Sequence, residues 1–234
     1  MKEQHPGVKW FRCIFYPTRK TNRAVRFESG VIPRLRESGG TFFTPWGPRY
    51  HYEKRGVKIR AEDKEVRTLK FLADLWLEFQ QNGLATDWQW LFLGADTYGA
   101  RINHLPAEIV GAYFESFGHW VNKILPHASF RLWSDFDDQV QAIRQVAARD
   151  LEALVSSDIL LKARQTALAL KNGGDPRAYV IERLTEAMFI EQEFGPVKIS
   201  AVHRGKDAEV DLNLPRLYFV PPELQAPWMG GAGR

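Results

Sequence analysis

A short apolar run between two helical patterns constrains the fold of this chain most strongly. Residues 88–96, WQWLFLGAD, carry a glycine near their end and are typical of a buried strand in a parallel sheet. Residues 62–82 place apolar side chains at helical spacing and predict an amphipathic helix, and a second helix is predicted over residues 107–124. Residues 129–136, SFRLWSDF, predict another strand that ends in acids. This order implies a crossover and an α/β fold, Rossmann-like and three-layered, with a mostly parallel sheet.

The second half of the chain is predicted to be helix-rich up to about Phe194. Asp175 is expected to cap the start of a helix, with Pro176 at its first position, because both residue types are favoured there. Residues 195–229 then return to a β-like pattern. The chain therefore combines a layered α/β core with a helical C-terminal half.

Composition limits the number of domains and the kinds of partner. With 234 residues, 44% of them hydrophobic, we expect one domain over residues 1–234, with a basic segment at 1–40 and a disordered tail at 229–234. The 32 basic residues exceed the 28 acidic ones, which gives a net charge of +4. Much of the excess lies between residues 9 and 60. This pattern fits an ordinary basic surface, or binding of RNA or a phosphorylated substrate.

A single cysteine and several missing motifs narrow the class of protein. Cys13 is the only cysteine, which excludes an intramolecular disulfide and a cysteine-based zinc site. The sequence has no phosphate-binding loop, dinucleotide fingerprint, nucleophile elbow or HExxH motif, so we expect no cofactor and no metal. It also lacks a signal peptide and an apolar run of membrane-spanning length. We expect a cytoplasmic protein with no membrane partner.

Polar side chains follow the predicted strand at 88–96. Asp96, Tyr98, Arg101 and Asn103 come directly after it, and Ser134 and Asp135 follow the other predicted strand. Ligands bind beyond the carboxyl ends of strands in sheets of this kind. Asp and Asn also end strands by bonding their own backbone, which is the alternative interpretation. Turn formation requires neither the arginine nor the tyrosine, so the group is predicted to bind substrate.

A predicted C-terminal helix carries acids and a tyrosine on one face. Tyr179, Glu182, Glu186 and Glu193 lie apart from the apolar stripe. Acids at such spacing are usually solvent-exposed. Alternatively, Glu182 and Glu186, one turn apart, bind a cation such as a guanidinium or a substrate ammonium. A third possibility is that Arg183 pairs internally with Glu186.

The short strand near residue 200 provides further candidate ligands. Five polar residues alternate along the strand or just after it, so two or three of them are expected to face one pocket. They are Lys198, Ser200, His203, Arg204 and Lys206. His203 alone is weak evidence, because an isolated histidine is more often a surface residue.

Three sequence blocks in order resemble the isocyanide synthases of pyoverdine and dityrosine biosynthesis. AEDKEVRTLKFL resembles that family's acidic helix, GAD its strand end, and VKISAVHRGK followed by APWM its Ser-x-His strand and Pro-Trp-His. The matching positions are Asp63, with Glu65 beside it, Asp96, Ser200 to His203, and Pro227 to Trp228. The family's Ser-Asp-Gly is replaced by GADTYG, its lysine by Arg49, and its final histidine by Met229. The resemblance implies the scaffold more than the sugar-phosphate chemistry.

The same strand end resembles that of the cyclodipeptide synthases, which take aminoacyl groups from charged tRNAs. That family carries Gly-x-Ser-x-x-Asn there, together with a Tyr and a Glu on a later helix. Here Asp96 stands at the serine position and Gly99 at the asparagine position, so a seryl intermediate is not implied. The chain is similar to the arginine-containing type of synthase in its compact size, basic N-terminal half and acid-rich helices.

These resemblances imply a synthase of secondary metabolism that forms an arginine-containing cyclic dipeptide from arginyl-tRNA and a second aminoacyl-tRNA. Asp63 or Asp96 is expected to act as the base beside Tyr98, and Glu182 and Glu186 to recognise the guanidinium. The tRNA is expected to contact six basic residues, namely Arg19, Lys20, Arg23, Lys54, Arg55 and Lys58.

Two alternatives from other classes remain. An isocyanide synthase would hold a free aromatic amino acid and a pentose phosphate, the latter through Arg49, Lys198 and Lys206. A non-enzymatic RNA-binding protein would use the basic segment and form no product.

Overall fold

The computed structural model describes residues 24–27, 30–47, 63–155, 157, 161, 175–203 and 214–220. The strands are β1 (Ala24–Phe27), β2 (Thr41–Trp46), β3 (Gln89–Gly94), β4 (Ala128–Leu132), β5 (Lys198–His203) and β6 (Arg216–Val220). The α-helices are α1 (Val31–Leu35), α2 (Asp63–Gln81), α3 (Ala107–Ile124), α4 (Asp137–Arg149), α5 (Leu151–Leu154) and α6 (Pro176–Gln192). A π-helical turn spans Tyr98–Ile102, and a 3₁₀ turn spans Trp133–Phe136.

The six strands form one sheet in the order β1-β6-β5-β2-β3-β4. All neighbouring pairs are parallel except β1 and β6, which are antiparallel. The predicted strand-helix-strand unit is confirmed as β3-α3-β4, and so is the mostly parallel sheet. Strand order reverses between β2 and β5, because β3 and β4 follow on one side of β2 while β5 and β6 lie on the other. Ligands bind at such reversal points in open α/β sheets.

Pairing between β2 and β5 stops halfway along β2. The register joins residues 41–43 to residues 198–200, whereas β2 pairs with β3 to its end. The N–H of Thr41 donates to the carbonyl of Val197, so the backbone nitrogens of Thr41, Phe43 and Pro45 face β5 by alternation. Pro45 has no N–H to donate. The pairing ends before it, and a central strand therefore becomes an edge at its carboxyl end.

The first face of the sheet, covered by α2 and α3, is aromatic. Phe42 stacks on Trp90 with ring centroids 4.9 Å apart, and Trp46 stacks on Phe117 of α3 at 4.4 Å. The packing is close enough that a Cβ on Gly118 would lie 2.7 Å from the Phe130 ring. Only glycine fits α3 against the sheet at this point.

The second face, covered by α4 and α6, combines apolar and charged groups. Phe43, Leu91 and Leu93 of the sheet pack with Val140 of α4 and Phe189 of α6. The helices on both faces make the structure three-layered, as predicted. The acids of α6 lie on this second face, and they provide the chemistry described below.

Local sequence patterns gave most element boundaries, with two corrections. The helix predicted over 62–82 spans Asp63–Gln81, and the one predicted over 107–124 matches α3. The strand predicted to reach residue 136 ends at Leu132, because a carboxylate oxygen of Asp135 accepts the Leu132 N–H and turns the chain. The helix predicted to continue to about Phe194 ends at Gln192, where Glu193 adopts an extended conformation.

The other predictions about domain organisation have mixed outcomes. Asp175 caps α6, because its Oδ1 accepts the N–H groups of Arg177 and Ala178, as predicted. The tail at 229–234 and most of the basic segment lie outside the described residues, and the single-domain expectation stays a prediction. No described helix combines the length and apolar character needed to cross a membrane.

Candidate active site

Asp96 joins the carboxyl ends of two neighbouring strands. It follows β3, and its Oδ1 accepts the backbone N–H of Ser134, which follows β4, at 3.1 Å. The carboxyl ends of the two strands therefore meet, as predicted. The bond is not the local turn-forming bond of the alternative interpretation, because Ser134 is 38 residues away from Asp96 in the sequence. Within the described residues, the second carboxylate oxygen of Asp96 accepts no hydrogen bond. One oxygen of Asp96 thus links the two strand ends, and the other remains available.

Tyr98, in the π-helical turn, contacts an acid on α6. Its hydroxyl donates to Oε2 of Glu186 at 2.8 Å, and Nη1 of Arg183 donates to the same oxygen at 2.8 Å. The Arg183 guanidinium lies 6.0 Å from the centre of the Tyr98 ring, and the Tyr179 ring lies 5.7 Å away, edge to face. The predicted group of Tyr98, Tyr179 and Glu186 is thus brought together, and Arg183 pairs with Glu186 as one alternative anticipated.

Burial and charge fix the protonation states in this cluster. Burial, and then the charge of Glu186, raise the pKa of Tyr98 well above its ordinary value, so the phenol stays protonated and can only donate to Glu186. Burial opposes the charge of Arg183, but Glu186 and the neighbouring tyrosines outweigh it and raise the pKa of the guanidinium further. The cluster therefore holds a permanent cation beside a buried acid.

Glu182, one turn before Glu186, is held by the protein itself. Arg144 of α4 donates from Nε to Oε2 at 2.9 Å and from Nη2 to Oε1 at 2.8 Å. The indole N–H of Trp133 makes a short hydrogen bond to Oε1 as well. Glu182 and Glu186 are only 5% and 3% exposed. The interpretation of these two acids as a solvent-exposed face is therefore wrong, because α6 packs them between α4 and the π-helical turn.

A chain of charged contacts continues to the surface. Nη2 of Arg144 also donates to Oδ1 of Asp137 at 3.0 Å, and Arg101 donates to Oδ2 of Asp137 at 2.5 Å. Partial burial works against the charge of Asp137, but hydrogen bonds from Arg101 and Arg144 outweigh it and lower the pKa of the carboxyl. Arg101, predicted to contact substrate, instead pairs with Asp137 and is 59% exposed.

Two buried side-chain atoms in this region lack hydrogen-bond partners among the described residues. They are Oε1 of Glu186 and the hydroxyl oxygen of Thr97, which lies between Asp96 and Tyr98. A buried polar atom without a partner is costly and uncommon in folded proteins. Each is therefore a candidate for contact with a bound group.

The other predicted site residues are distributed around the sheet. Asp63 begins α2 and Glu65 lies fully buried in its first turn, after the carboxyl end of β2. Asn103 is buried, and its N–H donates to the Tyr98 carbonyl at 2.9 Å. His203 ends β5, at the same edge of the sheet as Asp96. These four positions are thus compatible with one site.

Lys198 and Ser200 are placed differently. Lys198 begins β5, so it lies at the amino edge of the sheet, about 17 Å along the strand direction from the edge where Asp96 lies. Its Nζ donates to the Glu191 carbonyl at 2.6 Å, and burial lowers the pKa of the amine. Ser200 is buried in the middle of the strand. The structure does not bring Lys198 together with Asp96.

Nine predicted residues lie outside the described part of the chain. They are Arg49, Arg204, Lys206 and the six candidate tRNA contacts, namely Arg19, Lys20, Arg23, Lys54, Arg55 and Lys58. Their assignments stay predictions. Within the described ranges, no group of three or more His, Cys, Asp and Glu side chains is arranged to hold a metal ion.

Sequence reasoning missed Arg144, Asp137, Trp133 and Thr97. Arg144 and Glu182 are 38 residues apart, and no local pattern links them, because their contact depends on how α4 packs against α6. Thr97 could have been selected from the sequence, because it lies between Asp96 and Tyr98, which were both predicted site residues.

Comparisons with known proteins were informative only for the fold. No protein-family model matches the chain, and no curated protein matches it. Similar structures include a tyrosyl-tRNA synthetase complexed with L-tyrosine from Archaeoglobus fulgidus, with a TM-score of 0.52, 14% identity, and coverage of 85% of this chain and 61% of that one. A CDPS from Staphylococcus haemolyticus gives a TM-score of 0.51, 10% identity, and coverage of 84% and 97%.

The PvcA protein from Pseudomonas aeruginosa is similar at a TM-score of 0.50, with 16% identity and coverage of 84% of this chain and 74% of that one. At these identities the likeness concerns the fold alone. The chain therefore has a Rossmann-like fold of the kind found in a tyrosyl-tRNA synthetase and a CDPS.

Proposed function

We propose that this protein is an aminoacyl-tRNA-dependent synthase that forms a cyclic dipeptide, with arginine as one of its amino acids. The observation that carries the proposal is Glu186, a buried acid with one oxygen bound by Tyr98 and Arg183 and the other without a partner among the described residues. It lies on α6, against the turn that follows β3. The shared fold with a tRNA synthetase and a CDPS supports this assignment.

The reaction needs little beyond positioning and proton transfer. An aminoacyl ester of tRNA is already activated, so no ATP is required. The enzyme must hold two aminoacyl groups, keep one amine neutral and orient it toward the other carbonyl. A free α-amine has a pKa of about 7.7–8.0, so a nearby carboxylate is sufficient as the base.

Asp96 is the base that we favour among the described side chains. Its Oδ1 is committed to the Ser134 N–H, which fixes the carboxylate at the strand end and leaves Oδ2 to accept a proton. The amine of one aminoacyl group attacks the ester carbonyl of the other, and its proton passes to Asp96 and then to the ribose oxygen as the C–O bond to the first tRNA breaks. The free amine of the resulting dipeptidyl-tRNA attacks the remaining ester carbonyl, its proton follows the same route, and release of the second tRNA closes the ring. Asp63, at the start of α2, is the alternative base.

Tyr98 acts as a hydrogen-bond donor in this scheme, not as a base. Its raised pKa keeps the phenol protonated, and its hydroxyl orients Glu186. Oε1 of Glu186 then accepts an N–H of the substrate. Because that atom is shielded from solvent, a local opening precedes binding, and the substrate N–H then gives the buried oxygen a partner.

Arginine recognition is assigned to Glu186 in this proposal. Both oxygens of Glu182 already accept bonds from Arg144, so Glu182 has less capacity for a second guanidinium. Oε1 of Glu186 is open to one N–H of a substrate guanidinium, because Oε2 is already bound by Tyr98 and Arg183. We therefore expect Glu186→Gln to raise the KM for arginyl-tRNA more than the KM for the second substrate.

The test is reconstitution with purified components. The protein is incubated with arginyl-tRNA and a mixture of other aminoacyl-tRNAs, and the products are identified by mass spectrometry. An arginine-containing cyclic dipeptide that disappears after ribonuclease treatment supports the proposal. Competition between arginyl-tRNA and lysyl-tRNA then measures selectivity, and equal use of both by the wild type and by Glu186→Gln removes Glu186 from the arginine site.

Other outcomes identify the alternatives. An isonitrile formed from a free amino acid and a pentose phosphate, unaffected by ribonuclease, would indicate an isocyanide synthase. RNA binding with no product, unchanged by Asp96→Asn, would indicate a binding protein. For tRNA binding, charge reversal of Arg19, Lys20 and Arg23 should weaken affinity, and wild-type affinity should fall steeply with salt as counterions are released.

A further inference from the structure

Arg144 of α4 joins two acids. Its guanidinium bonds both oxygens of Glu182 and Oδ1 of Asp137, and its side chain is 26% exposed. Hydrogen bonding to Glu182 is the largest factor that raises the pKa of Arg144, so the cation is permanent. Trp133 adds a third donor to Glu182. Both oxygens of Glu182 therefore accept hydrogen bonds from protein groups.

α6 is buried on more than one side of its axis. Its apolar stripe, which includes Val180 and Leu184, is buried, and Glu182 and Glu186 are buried on a different side of the helix. Apolar burial is not directional, whereas hydrogen bonds have a preferred geometry, so polar contacts add to apolar packing in defining the orientation of α6. The planar fork of Arg144 provides such a contact, because it binds a carboxylate in one geometry.

The contacts form a closed ring between α6 and the π-helical turn. On one side, Tyr98 of the turn donates to Glu186. On the other side, Arg101 of the same turn pairs with Asp137. Arg144 donates hydrogen bonds both to Asp137 and to Glu182. Glu182 and Glu186 are one helical turn apart. Contacts on both sides of the ring thus define the position of Glu186 relative to Tyr98.

We propose that Arg144 is a positioning residue of the candidate active site, which sets the orientation of α6 by holding Glu182 and thereby presents Glu186 to Tyr98 and to the substrate. The kinetic test of this inference rests on the proposed function, whereas its structural test, the ionisation of Tyr98, does not. It assigns Glu182 to the scaffold and Glu186 to substrate contact.

The kinetic test compares variants at one position of α4 with a control on the same helix. Arg144→Gln should lower kcat for cyclic dipeptide formation by about 10²-fold, the scale expected when a reacting group is misplaced by about 1 Å. KM for arginyl-tRNA should rise as well, because Glu186 is assigned to arginine recognition, whereas KM for the second substrate should change much less. Arg144→Lys keeps the charge and loses the fork, so its kcat should be intermediate. Arg149→Gln is the control, because Arg149 is 72% exposed and, among the described residues, pairs with its neighbour Asp150 alone.

A double-mutant cycle distinguishes a positioning role of Glu182 from direct contact between Glu182 and the substrate. If Arg144 acts through Glu182, the double variant Arg144→Gln with Glu182→Gln should be no less active than Arg144→Gln alone. Losses that multiply would mean that Glu182 contacts the substrate independently and would overturn the proposal. When Arg144→Gln is instead combined with Glu186→Gln, the activity should fall below that of Arg144→Gln alone. If Arg144→Gln fails to fold, the cycle is performed with Arg144→Lys.

Ionisation of Tyr98 provides a readout that does not depend on activity. Near-ultraviolet absorbance is followed over the pH range in which the protein stays folded, and Tyr98→Phe identifies the contribution of this residue. In the wild type Tyr98 should stay protonated, and in Arg144→Gln it should ionise at lower pH as it loses its contact and burial. Unchanged Tyr98 behaviour would overturn the positioning role. Absence of any cyclic dipeptide, with Tyr98 shifted, would overturn only the proposed function.

Discussion

The two faces of the sheet are built from different chemistry. The first face joins α2 and α3 to the sheet through stacked aromatic rings, with Trp46 on Phe117 and Phe42 on Trp90. The second face joins α4 and α6 through apolar contacts and a network of buried charges around Glu182 and Glu186. Aromatic packing contributes stability and requires no particular arrangement of charged groups. Buried ion pairs contribute little net stability but fix the geometry of the groups that they join. The first face is therefore the scaffold, and the second face supports the candidate site.

The largest expected effect on stability comes from the first face. Phe117 is fully buried and stacks on Trp46, so Phe117→Ala should lower the free energy of unfolding by about 3–5 kcal/mol. Denaturant unfolding measures this change. Phe117→Leu, which retains more volume, should cost less, and activity per folded molecule should stay near wild type in both. A tenfold loss of activity in folded Phe117→Leu would contradict the division between the faces.

The largest expected effect on activity comes from the strand end beside the second face. Asp96→Asn keeps an oxygen that can accept the Ser134 N–H, so the fold should survive while turnover falls by about 10²-fold, the scale for loss of a general base. Asp135→Asn is the matched control, because Asp135 also accepts a backbone N–H, from Leu132, at the end of β4. Steady-state rates of both variants decide the matter. Equal activity of the two would remove Asp96 from the mechanism.

A smaller effect is expected inside the aromatic face. The indole N–H of Trp90 donates to the hydroxyl of Thr44 at 2.8 Å, and both groups are buried. Thr44→Val conserves the shape and leaves that N–H without a partner, which should cost about 1–3 kcal/mol. Thermal and denaturant unfolding measure the loss, with the exposed Thr86→Val as the control. A change in substrate selectivity with unchanged stability would be inconsistent with a purely structural bond.

The smallest effect is expected at the exposed end of the charged network. Two arginines lower the pKa of Asp137. A carboxyl with a lowered folded-state pKa contributes stability above its unfolded pKa and loses it as the pH falls through the folded value. Arg101→Gln should therefore reduce stability by at most about 1 kcal/mol at neutral pH, because the pair is partly exposed. The difference from wild type should shrink as the pH falls below the ordinary aspartate pKa and vanish below the lowered folded-state pKa, as unfolding at several pH values would reveal.

The fold was more predictable than the site, for identifiable reasons. β3, α2 and α3 carry periodic patterns that are complete within each segment, so local sequence was sufficient. β2 was not identified, because it is short, does not alternate regularly between apolar and polar residues, and contains Pro45, which normally argues against a central strand. The structure shows why the proline is tolerated, since β5 is no longer paired at that point.

The site was predictable where its residues follow one strand and not where it depends on packing between distant helices. Asp96 and Tyr98 were selected because a strand end is a local feature. Whether Glu182 is exposed, bound to substrate or paired depends on Arg144, and nothing near either residue in the sequence specifies that contact. Lys198 was grouped with Ser200 and His203 by alternation, which does not reveal which edge of the sheet each residue reaches.

The break in pairing at Pro45 has a consequence for how the molecule stays ready for a ligand. Most openings in protein structures depend on side-chain positions or domain motion and can close in the absence of a ligand. Here the missing donor is a covalent property of the chain, so the hydrogen bond that residue 45 of β2 would donate to β5 is absent in every conformational state. Binding at the strand-order reversal therefore does not have to break that bond.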